Sequence, residues 1–269
     1  MNLYPLNQTE LYGLDNDLKH LITLFHKKKL PNKILLTGRK GIGKCTLAYH
    51  LVNFILSQSE EYEYDVKRFS INRNNKSFKL ISNGTNPNFN LIDLNDDKKS
   101  IEIDQIRNLI IKMNKSSFNT KPRFVLIDNT EFLNKNSINA LLKTLEEPNE
   151  NIYFILINNQ KKLLNTLTSR CINFNLSLSN EKSIEVINKL LNDDVYKFIN
   201  KEFLDYYFSP GNIYNLVNFS KNKQLELKEI DLKVFLQILI NEKYYKKENS
   251  LRYLFFDFFE IFLKKTAKI

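Results

Sequence analysis

Apolar positions along the chain recur in two rhythms, and their order predicts an alternating strand–helix unit followed by helices alone. Leu18, Leu21, Ile22 and Phe25 repeat at helical spacing, which predicts an amphipathic helix over residues 14–28. Lys27-Lys28-Lys29 then crosses a loop ending at Pro31. Ile34-Leu35-Leu36 is a short apolar run closed by Gly38 and reads as a buried strand. Leu47, Leu51, Phe54 and Ile55 share one helix face, so residues 33–56 read as strand, glycine loop, helix. Residues 57–90 are polar and Asn-rich, and predict a loop with one short strand near Phe78-Lys79-Leu80-Ile81. Ile103, Ile106, Ile110 and Met113 form the next helical stripe. Arg123-Phe124-Val125-Leu126-Ile127-Asp128 is an apolar run closed by a carboxylate, the pattern of a central parallel strand covered on both faces. Ile138, Leu141, Leu142 and Leu145 predict a helix that Pro148 stops, and Ile152 to Ile157 is the following strand. Beyond about residue 176 the strand signal ends. Near the C-terminus, Leu251, Leu254, Phe255, Phe258 and Phe262 make a helical stripe that suits an internal core face, with a subunit interface as the alternative.

This order predicts an α/β fold: a parallel sheet with helices on both faces over residues 1–176, a small helical lid over 177–219, and a short helical C-terminal segment over 220–269. No internal repeat is visible. With 42% hydrophobic and 12% aromatic residues the composition is globular rather than disordered. No apolar run is long enough to suggest a transmembrane helix. Met1-Asn2-Leu3-Tyr4-Pro5 lacks the basic-then-apolar pattern of a secretory signal, so a cytoplasmic location with no membrane partner is expected. Cys45 and Cys171, the two cysteines, supply neither a disulfide framework nor a four-cysteine zinc site. The net charge of +10 suits a nucleic-acid partner. However, Lys, Asn, Ile and Phe are the residues that AT-rich codons favour, so charge alone does not decide.

Three motifs carry candidate chemistry. Gly38-Arg39-Lys40-Gly41-Ile42-Gly43-Lys44-Cys45-Thr46 fits the phosphate loop G-x-x-x-x-G-K as far as its lysine. Its glycines (Gly38, Gly41, Gly43) let backbone N–H groups wrap a phosphate, and the helix that follows offers its positive end. Lys44 would reach the outer phosphates. The next position should carry a hydroxyl for magnesium, but holds Cys45, a soft ligand poorly suited to a hard cation; Thr46 comes one residue late. The second motif is Asp128 at its strand's end, where P-loop ATPases keep a magnesium-holding carboxylate. Asn129 follows it, and an amide cannot act as general base; Glu131 is a displaced acid two residues on. The third is Ser169-Arg170-Cys171, in which Arg170 is a candidate for acting in trans on a neighbour's nucleotide, with a surface salt bridge as the default alternative.

Taken together these residues resemble the clamp-loader branch of the AAA+ family. The resemblance rests on Ile127-Asp128-Asn129, on Asn139-Ala140-Leu141-Leu142-Lys143-Thr144-Leu145-Glu146-Glu147-Pro148, and on Ser169-Arg170-Cys171, with Ile103-Asp104-Gln105-Ile106-Arg107 as a weaker match. It is good over roughly residues 8–176 and loose over 177–219. The changes at Cys45 and Asn129 make the chain more similar to bacterial delta-prime subunits than to the gamma/tau ATPases. The resemblance implies an AAA+ RecA-like P-loop domain, a lid and a collar-like segment. It also implies membership of a DNA polymerase III clamp loader with gamma/tau and delta subunits, and the sliding clamp and primer-template DNA as partners through the complex. Arg170 would complete an adjacent gamma/tau site. The chain's own site would bind ATP or ADP weakly, without hydrolysis, through Gly38, Gly41, Gly43, Lys44, Cys45, Thr46 and Asp128. An active ATPase of the gamma/tau type is the alternative, and an unrelated P-loop kinase ranks last. The chain departs from the family in three further ways. Residues 57–90 hold no cysteine, so no zinc is expected. The Ser209-Pro210-Gly211 turn is not followed closely by a basic residue. About 50 residues follow the lid, where family members usually carry a larger helical collar.

Overall fold

The structure is a computed structural model. It describes the backbone of residues 3–267 except 96–97, 116–118, 147–150, 160–162, 164, 205–207 and 248, and the side chains of the same residues except 249–253 and 265. The chain divides into two compact units. Unit 1 holds residues up to Arg39 and Gly43–Ser177; unit 2 holds Lys40–Ile42 and Leu178 onward.

Unit 1 is built on five parallel strands: β1 (Lys33–Thr37), β2 (Phe89–Ile92), β3 (Arg123–Ile127), β4 (Ile152–Asn158) and β5 (Ile172–Asn175). They lie in the order β2-β3-β4-β1-β5. Parallel neighbours cannot be joined by a hairpin, so helices carry the crossovers. These are α1 (Asp15–His26), α2 (Lys44–Leu56), α3 (Lys76–Ser82), α4 (Ile103–Met113), α5 (Lys135–Glu146) and the short α6 (Asn165–Thr168). Alternate strand residues face opposite ways. Leu35, Val125, Ile127, Phe154 and Leu156 pack on Ile106, Leu109 and Met113 of α4 and on Ile138, Leu141 and Leu145 of α5. Their neighbours Ile34, Leu36, Phe124, Leu126 and Ile155 are buried as well, which requires cover on the second face, where α2 packs near β4. The α/β parallel sheet expected from the sequence is therefore present.

The segment expected to be a loop with a strand near Phe78–Ile81 is corrected: Lys76–Ser82 is helical. Asn75 caps it, its side chain accepting from the Phe78 N–H at 2.7 Å. Ser77 ties the helix down through hydroxyl bonds to the Leu56 carbonyl and to Glu60. A four-residue apolar–polar alternation cannot distinguish strand from helix, and here a capping side chain decided. The strand actually lies at Phe89–Ile92. It sits at the sheet edge with Leu91 exposed, so its apolar signal is weak. The helix stop assigned to Pro148 falls outside the described residues.

Unit 2 is helical apart from loops: α7 (Asn180–Leu191), α8 (Pro210–Lys223), α9 (Leu232–Asn241), α10 (Tyr244–Lys247) and α11 (Asn249–Thr266). Asp231 and Ser209 cap α9 and α8 through their side-chain oxygens. Helix α8 continues through position 219 to Lys223. Of the C-terminal stripe, Leu254, Phe255 and Phe258 are buried within unit 2, Phe262 is half-buried, and the Leu251 side chain lies outside the described set. Phe256, Phe259 and Leu263 point outward. Phe258 is 1% exposed and sits edge-on to Phe203 and Phe235, with centroids 5.5 and 5.8 Å away. It also meets Phe208 at 4.8 Å. An aromatic cluster of this kind is where a small helical unit concentrates its burial. Phe258→Ala should therefore cost about 3–5 kcal/mol. Urea unfolding followed by far-UV circular dichroism checks this, and a cost below about 1 kcal/mol would contradict the packing.

Candidate functional site

The polar residues of interest lie one step past the C-terminal ends of the strands, where a buried sheet can present them to solvent. Gly38 follows β1, Asp93 follows β2, Asp128 follows β3 and Asn159 follows β4. In open parallel sheets ligands bind at this edge.

From β1 the chain runs through the glycine loop into α2. Gly43 caps the helix at φ 98°, a left-handed conformation that a side chain would strain. Gly41, at φ 86°, belongs to unit 2, where its carbonyl accepts from the Gly211 N–H at 2.9 Å. A Cβ on Gly41 would stand 2.5 Å from the Ser209 hydroxyl, so only glycine fits. Lys44 is 3% exposed, and its ammonium donates to the Gly38 carbonyl at 2.9 Å and the Arg39 carbonyl at 2.7 Å. The lysine thus lies within its own loop. Thr46 is half-buried on the next step of the helix.

Cys45 and Asp128 meet directly. The thiol hydrogen-bonds the Asp128 carboxyl, and burial together with that carboxyl pushes the thiol well above its ordinary range. The cysteine therefore stays protonated and donates. Asp128 is in turn raised from 3.8 to about 6, mainly by burial and secondly by the charge of Asp93, while the Asn129 N–H, Cys45 and Lys44 pull it down. A protonated thiol donating to the carboxylate does not match a hard divalent cation, which needs oxygen donors at that place. The glycine loop and helix start, by contrast, keep the features of a phosphate cradle.

Asn129 stands in the left-handed region at φ 54°, ψ 44°, which asparagine tolerates better than most side chains. Both ends of its amide are engaged. Its nitrogen donates to Asp93 at 2.8 Å, and its oxygen accepts from the Asn159 amide at 3.0 Å. Asn159 also donates to Glu131 from its side chain at 3.0 Å and from its backbone at 3.4 Å. Glu131, the displaced acid, is thus held in a polar chain Asp93–Asn129–Asn159–Glu131. Sequence reading singled out neither Asp93 nor Asn159. A polar residue ending each apolar run was the available signal, but β2 was missed and Asp93 with it.

Arg170 lies in the turn between α6 and β5. It donates to Glu146 at the end of α5 through Nε at 3.2 Å and through a second guanidinium nitrogen, and to the Thr166 carbonyl at 2.8 Å. Cys171 beside it is buried, and burial pushes its thiol up to about 11.

A five-stranded parallel sheet, a glycine loop leading from β1 into α2 and an acid closing β3 define a P-loop-type α/β fold. The sequence matches the family described as "DNA polymerase III, delta subunit" over residues 13–180, more than half of the chain, and the protein belongs to that family. It is similar to DNA polymerase III subunit delta' of Buchnera aphidicola subsp. Schizaphis graminum, 32% identical over 177 residues, which covers 65% of this chain and 51% of that one. DNA polymerase III subunit gamma of the same organism is 31% identical over 182 residues, covering 67% and 47%. Among solved structures, the Thermotoga maritima RuvB Holliday junction branch migration motor aligns with a TM-score of 0.49 at 15% identity, covering 89% of this chain and 81% of that one. The chain spans about half the length of the curated relatives it matches. No described helix is long and apolar enough to cross a membrane.

Asp128 provides a test of the site's electrostatics. Its folded pKa lies above its unfolded one, so the folded state holds the proton more tightly and stability falls as pH rises from about 4 to about 6. Above that window the cost remains. Asp128→Asn should therefore stabilise the protein at pH 7.5 by about 3 kcal/mol, with the gain vanishing near pH 4. Thermal melts across pH check it; a variant less stable at pH 7.5 would refute the assignment.

Proposed function

We propose that the protein is a delta-prime-like subunit of the DNA polymerase III clamp loader, supporting ATP-dependent loading of the sliding clamp onto primer-template DNA. On this reading residues 1–176 are the AAA+ RecA-like domain, 177–219 its lid and 220–269 a collar-like segment. Gamma/tau and delta subunits are its partners. Its own nucleotide site binds ATP or ADP weakly through Gly38, Gly41, Gly43, Lys44 and the start of α2, and does not hydrolyse it.

One observation carries the proposal: the groups that would drive cleavage in this chain are committed to each other. Cys45 donates to Asp128, and the Asn129 amide is spent between Asp93 and Asn159. Neither arrangement leaves a base for water at the position after Asp128. Arg170, in contrast, is a surface guanidinium. Placed at a neighbouring subunit's triphosphate, it would neutralise charge that develops on the transferred phosphoryl group.

A second reading, an active ATPase of the gamma/tau type, draws on the match to a gamma subunit at nearly the same identity. The two readings differ in the purified chain alone: magnesium-dependent ATP turnover that disappears in Lys44→Ala would overturn the delta-prime reading. In the loader reassembled with gamma/tau and delta subunits, Arg170→Ala should cut DNA-stimulated ATP turnover at the one affected site by about 10³-fold. An unchanged rate would remove the trans role.

A further inference from the structure

We infer that Glu146 is the positioning residue for Arg170, holding its guanidinium so that the remaining N–H groups are offered to a triphosphate outside the chain. The inference rests on the trans reading of Arg170 given above.

Two segments that the sequence presents separately, the Asn139–Pro148 block and Ser169-Arg170-Cys171, meet at this pair, 24 positions apart. One oxygen of Glu146 accepts from both Nε and a terminal nitrogen of Arg170, while the other terminal nitrogen donates to the Thr166 carbonyl. A guanidinium has five N–H groups, so three are used and two are left, enough for a two-pronged contact to phosphate. A long arginine side chain otherwise spreads over many rotamers, and ordering it in advance removes that loss from the step that uses it. The pair is partly open to water, with side-chain exposures of 33% for Arg170 and 52% for Glu146. Solvent screening keeps the ion pair weak, so it can orient the cation without withdrawing it.

Glu146 reaches Arg170 from the last described turn of α5, next to Leu145, whose carbonyl accepts from the Lys33 ammonium at 3.0 Å. Lys33 is thus bonded beside the pair, while Glu146 directs its carboxylate to Arg170.

The test uses the loader reassembled with its gamma/tau and delta subunits, ATP and primed DNA. Arg170→Ala, Glu146→Ala and Glu146→Gln are compared by kcat, by KM for ATP and by the thermal midpoint of the isolated chain. Arg170→Ala should collapse turnover at its site. Glu146→Ala should lower kcat there by roughly two- to fivefold, the range one exposed ion pair supports, with KM and thermal midpoint unchanged. Glu146→Gln keeps an acceptor oxygen at the same reach and should fall between wild type and alanine. It carries the test if the alanine variant fails to assemble. If Arg170→Ala collapses turnover while the Glu146 variants keep or exceed the wild-type kcat, or change KM alone, the positioning role is wrong. If Arg170→Ala itself leaves turnover unchanged, the trans reading fails and this inference fails with it.

Discussion

Burial of β3 and β4 on both faces is the constraint on which the rest of unit 1 depends. Phe124, Val125, Leu126 and Ile127 have essentially no exposure, and neither do Phe154, Ile155 and Leu156. Polar groups are costly in such strands unless paired, so they accumulate where the strands end. Parallel pairing in register then brings those ends to one edge. Gly38, Asp93, Asp128 and Asn159 are near one another for this reason, although more than 100 residues separate the first from the last.

What happens at that edge follows from competition for hydrogen-bond partners. A hard cation would need Asp128 ionised and an oxygen donor beside it. The cysteine instead supplies a proton donor, and burial with a second carboxylate close by raises the pKa of Asp128. One residue on, Asn129 carries an amide that can both donate and accept, and it does both. At both positions the polar group is satisfied by the protein's own residues. Arg170 follows a different logic. Its charge is held at the surface by a weak pair with Glu146.

Much of this was legible in the sequence. Strand–loop–helix over residues 33–56, the apolar run into Asp128 and the loss of strands after 176 are carried by hydrophobic rhythm alone, because burial on both faces or on one stripe leaves that rhythm in the chain. The glycine loop from β1 into α2, and the positions of Cys45, Asn129 and Arg170, could be picked out from spacing as candidates. Where rhythm was weak, reading failed. The edge strand Phe89–Ile92 has no fully buried position, and Lys76–Ser82 is helical through an Asn75 cap that a four-residue apolar pattern does not reveal.

The sequence by itself determined the class of fold, the order of its strongly patterned elements and which residue types stand at the glycine loop, because these depend on local periodicity and identity. Only the tertiary structure decided what those residues are bonded to: the Cys45 thiol to Asp128, the Asn129 amide between Asp93 and Asn159, Arg170 to Glu146. These contacts join residues from 24 to 83 positions apart. Such pairings are set by strand order and helix crossover, and no spacing along the chain encodes them.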